Sequence, residues 1–183
     1  MRIIAGIARG RRLRGPDGWT TRPFPDRVRE AVFSSLGALV EGAVVLDLFA
    51  GTGSLGLEAL SRGAGETTFV ERDRPALGVL HRNVEAVGLG GTIVAADVDR
   101  FVAGPLGRYD LVFVDPPYDL PLASVARILE GLEPAVTDGG VVVVHRRRGE
   151  EPPLLGSLVL ADRRRYGPAE IWRFTMARGA EPS

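Results

Sequence analysis

Residues 43–56, AVVLDLFAGTGSLG, run from an apolar stretch broken only by Asp47 into glycines at 51, 53 and 56, and then into a helical pattern. A strand that apolar must be covered on both faces, because a half-exposed strand alternates apolar with polar residues. Similar runs recur at 67–71, 92–96, 110–114 and 140–145, with helical patterns at 54–62, 73–88, 98–103 and 121–133. Buried strands alternating with helices predict a mostly parallel sheet with helices on both faces. Ahead of it, Asp26 is placed to cap a helix carrying Val28, Ala31, Val32, Leu36 and Leu39 at helical spacing. Behind it, 158–167 and 170–177 read as two strands around a Gly-Pro turn that close the sheet in antiparallel fashion.

With 183 residues and 45% apolar content the chain holds one sizeable core, so a single domain over 1–183 is expected, with an arm at 1–25 and an α/β body at 26–183. The lack of cysteine excludes disulfides and thiolate metal sites, and with only His81 and His145 as imidazoles no metal is expected. No apolar run is long enough to cross a bilayer and no signal-peptide pattern follows Met1, so a soluble, cytoplasmic protein, taken as a monomer, is expected. The formal charge is zero, yet every one of the 23 basic residues is arginine, and eight of them fall in residues 1–29 against Asp17 and Asp26, a local balance of +6. A basic arm on an acidic body suggests contact with a polyanion; the alternative is a solvated strand pair.

Gly51, Gly53 and Gly56 satisfy G-x-G-x-x-G between strand and helix, and Glu71 ends the next strand twenty residues after Gly51. This is the dinucleotide fingerprint, with the acid placed for ribose hydroxyls, so a nicotinamide or flavin enzyme is a competitor. Asp47 separates the cofactors. A carboxylate beside the loop repels a pyrophosphate, whereas S-adenosylmethionine brings a sulfonium and an ammonium group and no phosphate. Asp97 ends the following strand and could accept from an adenine amino group. Asp47, Glu71, Asp97 and Asp115 are all expected in register at the carboxyl ends of strands, where open α/β sheets bind their ligands.

The stretch LVFVDPPYDL, 111–120, ends a buried strand on Asp115, Pro116, Pro117 and Tyr118. Prolines alone could serve to stop the strand. The acid and the ring suggest more. An exocyclic amine on a nucleobase is a poor nucleophile because its lone pair is drawn into the ring. If Asp115 and the Pro116 carbonyl each accept one N–H, the nitrogen moves toward tetrahedral geometry and its lone pair is freed, while Tyr118 stacks on the base.

RIIAGIARGRRL, TRPFPDRVREAVF, VLDLFAGTGSLGLEALSRGA, FVERD and DLVFVDPPY together make the chain resemble the RsmD family of 16S ribosomal RNA guanine-N2 methyltransferases over nearly its whole length. The resemblance implies a Rossmann-like class I methyltransferase sheet, S-adenosylmethionine as donor and one guanine of 16S ribosomal RNA, in a small-subunit particle, as acceptor. By position it implies that Asp47, Gly51 and Gly53 border the methionine part of the donor, Glu71 the ribose and Asp97 the adenine. Asp115, Pro116 and Tyr118 would then hold the target base, and the N-terminal hairpin would contact RNA. In that hairpin Arg2, Arg9, Arg11, Arg12 and Arg14 are the candidate phosphate contacts, with Ile3 and Ile7 as anchors. Arg27 and Arg29 could order the approach to the site or form salt bridges within a helix. Phe24 and Pro25 stand where the family usually has hydroxyl residues, and YGPAEI replaces a threonine-bearing turn. The triplets Arg146 to Arg148 and Arg163 to Arg165 could extend an RNA surface or be solvated faces. The rival readings are a DNA adenine or cytosine amino methyltransferase and a non-catalytic RNA-binding scaffold.

Overall fold

The computed structural model describes residues 1–15 and 25–178. Among these residues seven strands form one sheet: β1 (Val44–Leu48), β2 (Glu66–Glu71), β3 (Thr92–Ala95), β4 (Tyr109–Val114), β5 (Val136–Arg147), β6 (Leu158–Tyr166) and β7 (Ala169–Met176). Their spatial order is β3-β2-β1-β4-β5-β7-β6, with β1 to β5 parallel and β7 inserted antiparallel between β5 and β6. The strand order reverses beside β1, so the loops after β1 and β4 open side by side. That is the topological switch point at which such sheets bind ligands.

Among the described residues, five α-helices accompany the sheet: α1 (Asp26–Leu36), α2 (Ser54–Ser61), α3 (Arg74–Val87), α4 (Val98–Val102) and α5 (Leu122–Leu132). Alternation along the strands sorts the core into faces. Leu46, Leu48, Val112, Val114, Val142 and Val144 pack with Val125, Ile128 and Leu129 of α5. Val45, Leu111, Phe113, Val141 and Val143 pack with Val28, Val32 and Phe33 of α1. Burying a side chain of this kind contributes about 1.5–3 kcal/mol, which is why strands apolar on both faces hold the centre of the sheet. β5 begins at Val136, earlier than its apolar run, because Val136 pairs with Tyr109 before a register shift that spans Gly139 at φ 75°. Among the described residues, no helix is long and apolar enough to cross a membrane.

Several local expectations need correction. Asp26 does not cap α1: Pro25 occupies the N-cap without a side-chain bond, and Asp26 is drawn instead to Arg29 at 2.9 Å. Leu39 lies beyond α1 in a short 3₁₀ turn and is exposed, the helix having ended where Gly37 takes φ 54°. The N-terminal hairpin forms, with Ile3 N–H donating to the Arg11 carbonyl and Leu13 N–H to that of Met1. Its anchors, however, are Ile3, Ala8 and Leu13, packed on Leu57, Leu60, Phe69 and Leu80, while Ile7 is 81% exposed. Residues 16–24, which include Arg22 and Phe24, lie outside the described residues.

The hairpin is also tied down by polar contacts. Buried Glu58 of α2 accepts the N–H groups of Ile4 and Ala5, and Ser61 Oγ accepts that of Ala8. Gly6 comes so close to α2 that a Cβ there would sit 1.7 Å from the Ser61 carbonyl oxygen. The arm is therefore a docked layer of the fold and not a free appendage.

Candidate active site

The loop after β1 turns on Gly53, which takes φ 78° as the N-cap of α2. Gly56 has a different reason: a Cβ there would lie 2.4 Å from the Phe69 ring, so glycine lets α2 press against β2. Phe49 also adopts a left-handed φ of 58°, uncommon for a bulky residue and a mark of a tightly specified loop.

Carboxylates already satisfy this loop. Asp47 Oδ2 accepts the Gly56 N–H at 2.9 Å, and Glu71 Oε2 accepts that of Gly51 at 2.8 Å. Glu71 Oε1 takes the N–H groups of Arg72 and Asp73 as well. With Asp47 on the Gly56 N–H and Glu71 on the Gly51 N–H, carboxylates take two of the donors a phosphate would use and make the loop more hospitable to a cation. The donor set thus fits the sulfonium and ammonium groups of S-adenosylmethionine and not a dinucleotide pyrophosphate.

The four acids are not flush along one edge. Asp47 pairs in register with Phe69 and Phe113, two residues short of Glu71 and Asp115, which puts it about 6–7 Å deeper. It is only 1% exposed. Burial pushes its carboxyl well above the usual carboxylate range; the Gly56 N–H opposes this, and the negative charges of Asp115 and Glu71 reinforce it. Asp97, at the rim, caps α4 through the N–H groups of Asp99 and Arg100 and pairs with Arg72 at 2.7 Å. Its partial burial raises the carboxyl, but the bonds from Arg72 and the α4 backbone outweigh this and leave it below its ordinary value. An adenine contact at Asp97 has to share the carboxylate with Arg72, whose side chain is exposed.

Beyond β4, Asp115 is partly exposed, Pro116 is buried, and Tyr118 is 38% exposed at the mouth. Asp115 and Tyr118 are joined by a residue that sequence reasoning passed over. His145 Nδ1 lies 2.6 Å from Asp115 Oδ1, and its Nε2 lies 3.1 Å from the Tyr118 hydroxyl. The signal was present in GVVVVH, a buried strand ending on a titratable residue just as DLVFV ends on Asp115. Arg146 was missed too. Buried to 1% exposure, it donates to the carbonyls of Pro117 and Leu120 and pairs with Glu150, fixing the loop from beneath.

The other arginines divide by the same test. Arg163 and Arg165 pair with Glu170, and Arg164 pairs with Asp162. Among the described residues, Arg147 and Arg148 are the triplet members without an ion pair, and Arg147 places its guanidinium 5.5 Å from the Tyr118 ring centre. Arg29 is a buried salt-bridging residue of α1 that also donates to the Arg2 carbonyl, whereas Arg27 stays exposed. In the hairpin Arg2, Arg9, Arg11, Arg12 and Arg14 are all exposed, but Arg11 already gives Nη1 to the carbonyls of Ala86 and Val87 at the end of α3.

The fold recurs in solved structures. That of yhhF from Escherichia coli superposes with a TM-score of 0.87 at 33% identity, covering 98% of this chain and 99% of that one. A hypothetical protein of Thermus thermophilus superposes with a TM-score of 0.81 at 34% identity, again over 98% and 99%. In sequence, YlbH of Bacillus subtilis is 35% identical over 91% of this chain and 94% of its own length. Ribosomal RNA small subunit methyltransferase D of Escherichia coli K12 is 43% identical over 64% of this chain, a match spanning 60% of that protein. The family profile described as conserved hypothetical protein 95 matches residues 1–175. With that profile, and with relatives that carry the methyltransferase D name, the chain belongs to the RsmD family.

Proposed function

We propose that this chain transfers a methyl group from S-adenosylmethionine to the exocyclic N2 amine of a guanine in 16S small-subunit ribosomal RNA, within a small-subunit particle. The observation that supports the reading is that a glycine loop bonded by Asp47 and Glu71 stands at the same switch point as the strand end carrying Asp115 and Pro116. Its Escherichia coli relative bears a small-subunit ribosomal RNA methyltransferase name. Bound there, S-adenosylmethionine supplies an electrophilic methyl group.

The chain's own residues do the rest. Gly51 and Gly53 give the methionine part of the donor close access to the backbone, and Asp47 acts on it from below as a buried negative charge. Glu71 spends three acceptor sites on backbone N–H groups and keeps capacity for a ribose hydroxyl. Asp97 meets the adenine. Asp115 and the Pro116 carbonyl accept the amine N–H groups, which frees the nitrogen lone pair to take the methyl group as its bond to the donor sulfur breaks and the neutral thioether departs; the surplus N–H proton is then lost to solvent, and Tyr118 stacks on the base. The exposed hairpin arginines grip phosphates with their planar forks. These arginines favour a structured polyanion over a small substrate.

The test is label transfer. Small-subunit particles from cells lacking the enzyme are incubated with labelled donor and digested to nucleosides. Label in N2-methylguanosine is expected; label in N6-methyladenine or N4-methylcytosine, or none, overturns the assignment.

A further inference from the structure

Asp115 and Tyr118 sit in one loop, and a single side chain from the neighbouring strand holds both. His145 projects from β5 where that strand is paired with β7 through Ile171 and lies alongside β4, and it is 7% exposed. Its backbone is fixed, so its ring is a rigid reference for a loop that carries two prolines. An ionised carboxylate has no proton to give. Against such an acceptor Nδ1 carries the hydrogen toward Asp115 Oδ1, and Nε2 faces the Tyr118 hydroxyl at hydrogen-bond distance. Burial first, and the Asp115 charge second, keep the Tyr118 phenol protonated, as this arrangement requires. The Nδ1 bond engages Oδ1 and leaves Oδ2, which has no partner among the described residues, to accept from a target amine.

We propose that His145 is a positioning residue for methyl transfer: it locks Asp115 so that Oδ2 meets the target N–H, and it pins the Tyr118 ring against which the base stacks. The proposal rests on the reading that this pocket holds a guanine amine. Its size follows from geometry, since a displacement of about 1 Å at a reacting centre can cost on the order of a hundredfold in rate.

Two isosteres separate the two contacts. Asparagine places an amide near Nδ1, and glutamine places one near Nε2. His145→Ala should lower kcat about tenfold or more while the donor Kd stays within about twofold. His145→Asn should recover most of kcat but keep a raised KM for the particle; His145→Gln should do the reverse. Nitrogen-15 NMR of the wild-type imidazole should show the Nδ1–H tautomer, a readout that needs no RNA. The proposal is overturned by an Nε2–H tautomer, by wild-type turnover in His145→Ala, or by equal losses in all three variants accompanied by a common fall in Tm. If the wild type puts no label into guanine N2, the functional reading fails. If it does and His145→Ala is unaffected, this inference alone fails.

Discussion

A single buried carboxyl illustrates how a residue can act on a ligand without lying at the surface. Asp47 is held below the rim, and its ionised form is disfavoured by burial and by the nearby charges of Asp115 and Glu71. A bound sulfonium favours that ionised form, so donor binding releases a proton from Asp47 and affinity rises as pH climbs toward the raised pKa. By calorimetry, the S-adenosylmethionine Kd should tighten several-fold as pH rises above the ordinary carboxylate range near about 4. Asp47→Asn should bind more weakly by at least a few-fold and lose the slope. S-adenosylhomocysteine, lacking the sulfonium, should show a shallower slope with the wild type. A wild-type Kd as flat as that of Asp47→Asn would mean that donor binding does not change the protonation state of Asp47. The acid was legible in the sequence because it interrupts an apolar strand. Its depth was not, since depth depends on the register of β1 with β2 and β4, which no local pattern encodes.

Among the elements, the β6–β7 hairpin shows why a charge run is ambiguous when read linearly. Arg163 to Arg165 look like a basic surface, yet β7 runs antiparallel to β6 and brings Glu170 opposite Arg165. Glu170 is buried, and bonds from Arg163 first, then Arg165 and Trp172 Nε1, pull its carboxyl down to about 2. A depressed folded-state pKa contributes stability that is present above the unfolded value of about 4.3 and lost as pH falls through the folded one. Denaturant unfolding should therefore show stability declining from about pH 4.5 toward about pH 2, and Glu170→Gln should flatten that decline. At neutral pH the same variant should lose on the order of 1–3 kcal/mol, because charge-assisted bonds become neutral ones. If the pH profiles of wild type and variant coincide, the arginines contribute nothing through Glu170. The strands, their order of appearance and the closing hairpin were readable from apolar runs and the Gly-Pro turn. Which arginines were structural was not, because their partners lie across the sheet: Arg146 reaches Leu120, and Arg163 reaches Glu151 and Glu170.

At the scale of the molecule, the N-terminal hairpin and the donor loop form one mechanical unit. Buried Asn83 of α3 accepts the Arg14 N–H and donates to the carbonyls of both Arg14 and Thr52, so the end of the hairpin is one side chain from the glycine loop. Removal of residues 1–14 strips Ile3, Ala8 and Leu13 from the core and leaves Glu58 without two of its donors. That truncation should lower Tm by several degrees and weaken donor binding, contrary to what a free arm would allow. A gentler change isolates the electrostatic role. Arg9→Ala with Arg12→Ala removes exposed charge only, so Tm and donor Kd should hold while the log–log salt dependence of RNA binding flattens by roughly 1.5. An unchanged slope would remove these arginines from the RNA interface.

Whether Asp115 is the acceptor of a target amine can be measured directly. Wild type and Asp115→Ala are compared in single-turnover label transfer to small-subunit particles, with donor Kd determined on the same preparations. The wild type should label guanine N2, and Asp115→Ala should be slower by about a hundredfold or more at an unchanged donor Kd, because the lost bond strengthens only on the way to the transition state. Asp115→Asn should fall between them, since its amide oxygen can still accept. Transfer by Asp115→Ala at the wild-type rate, with the label still on guanine N2, would contradict the account at its centre.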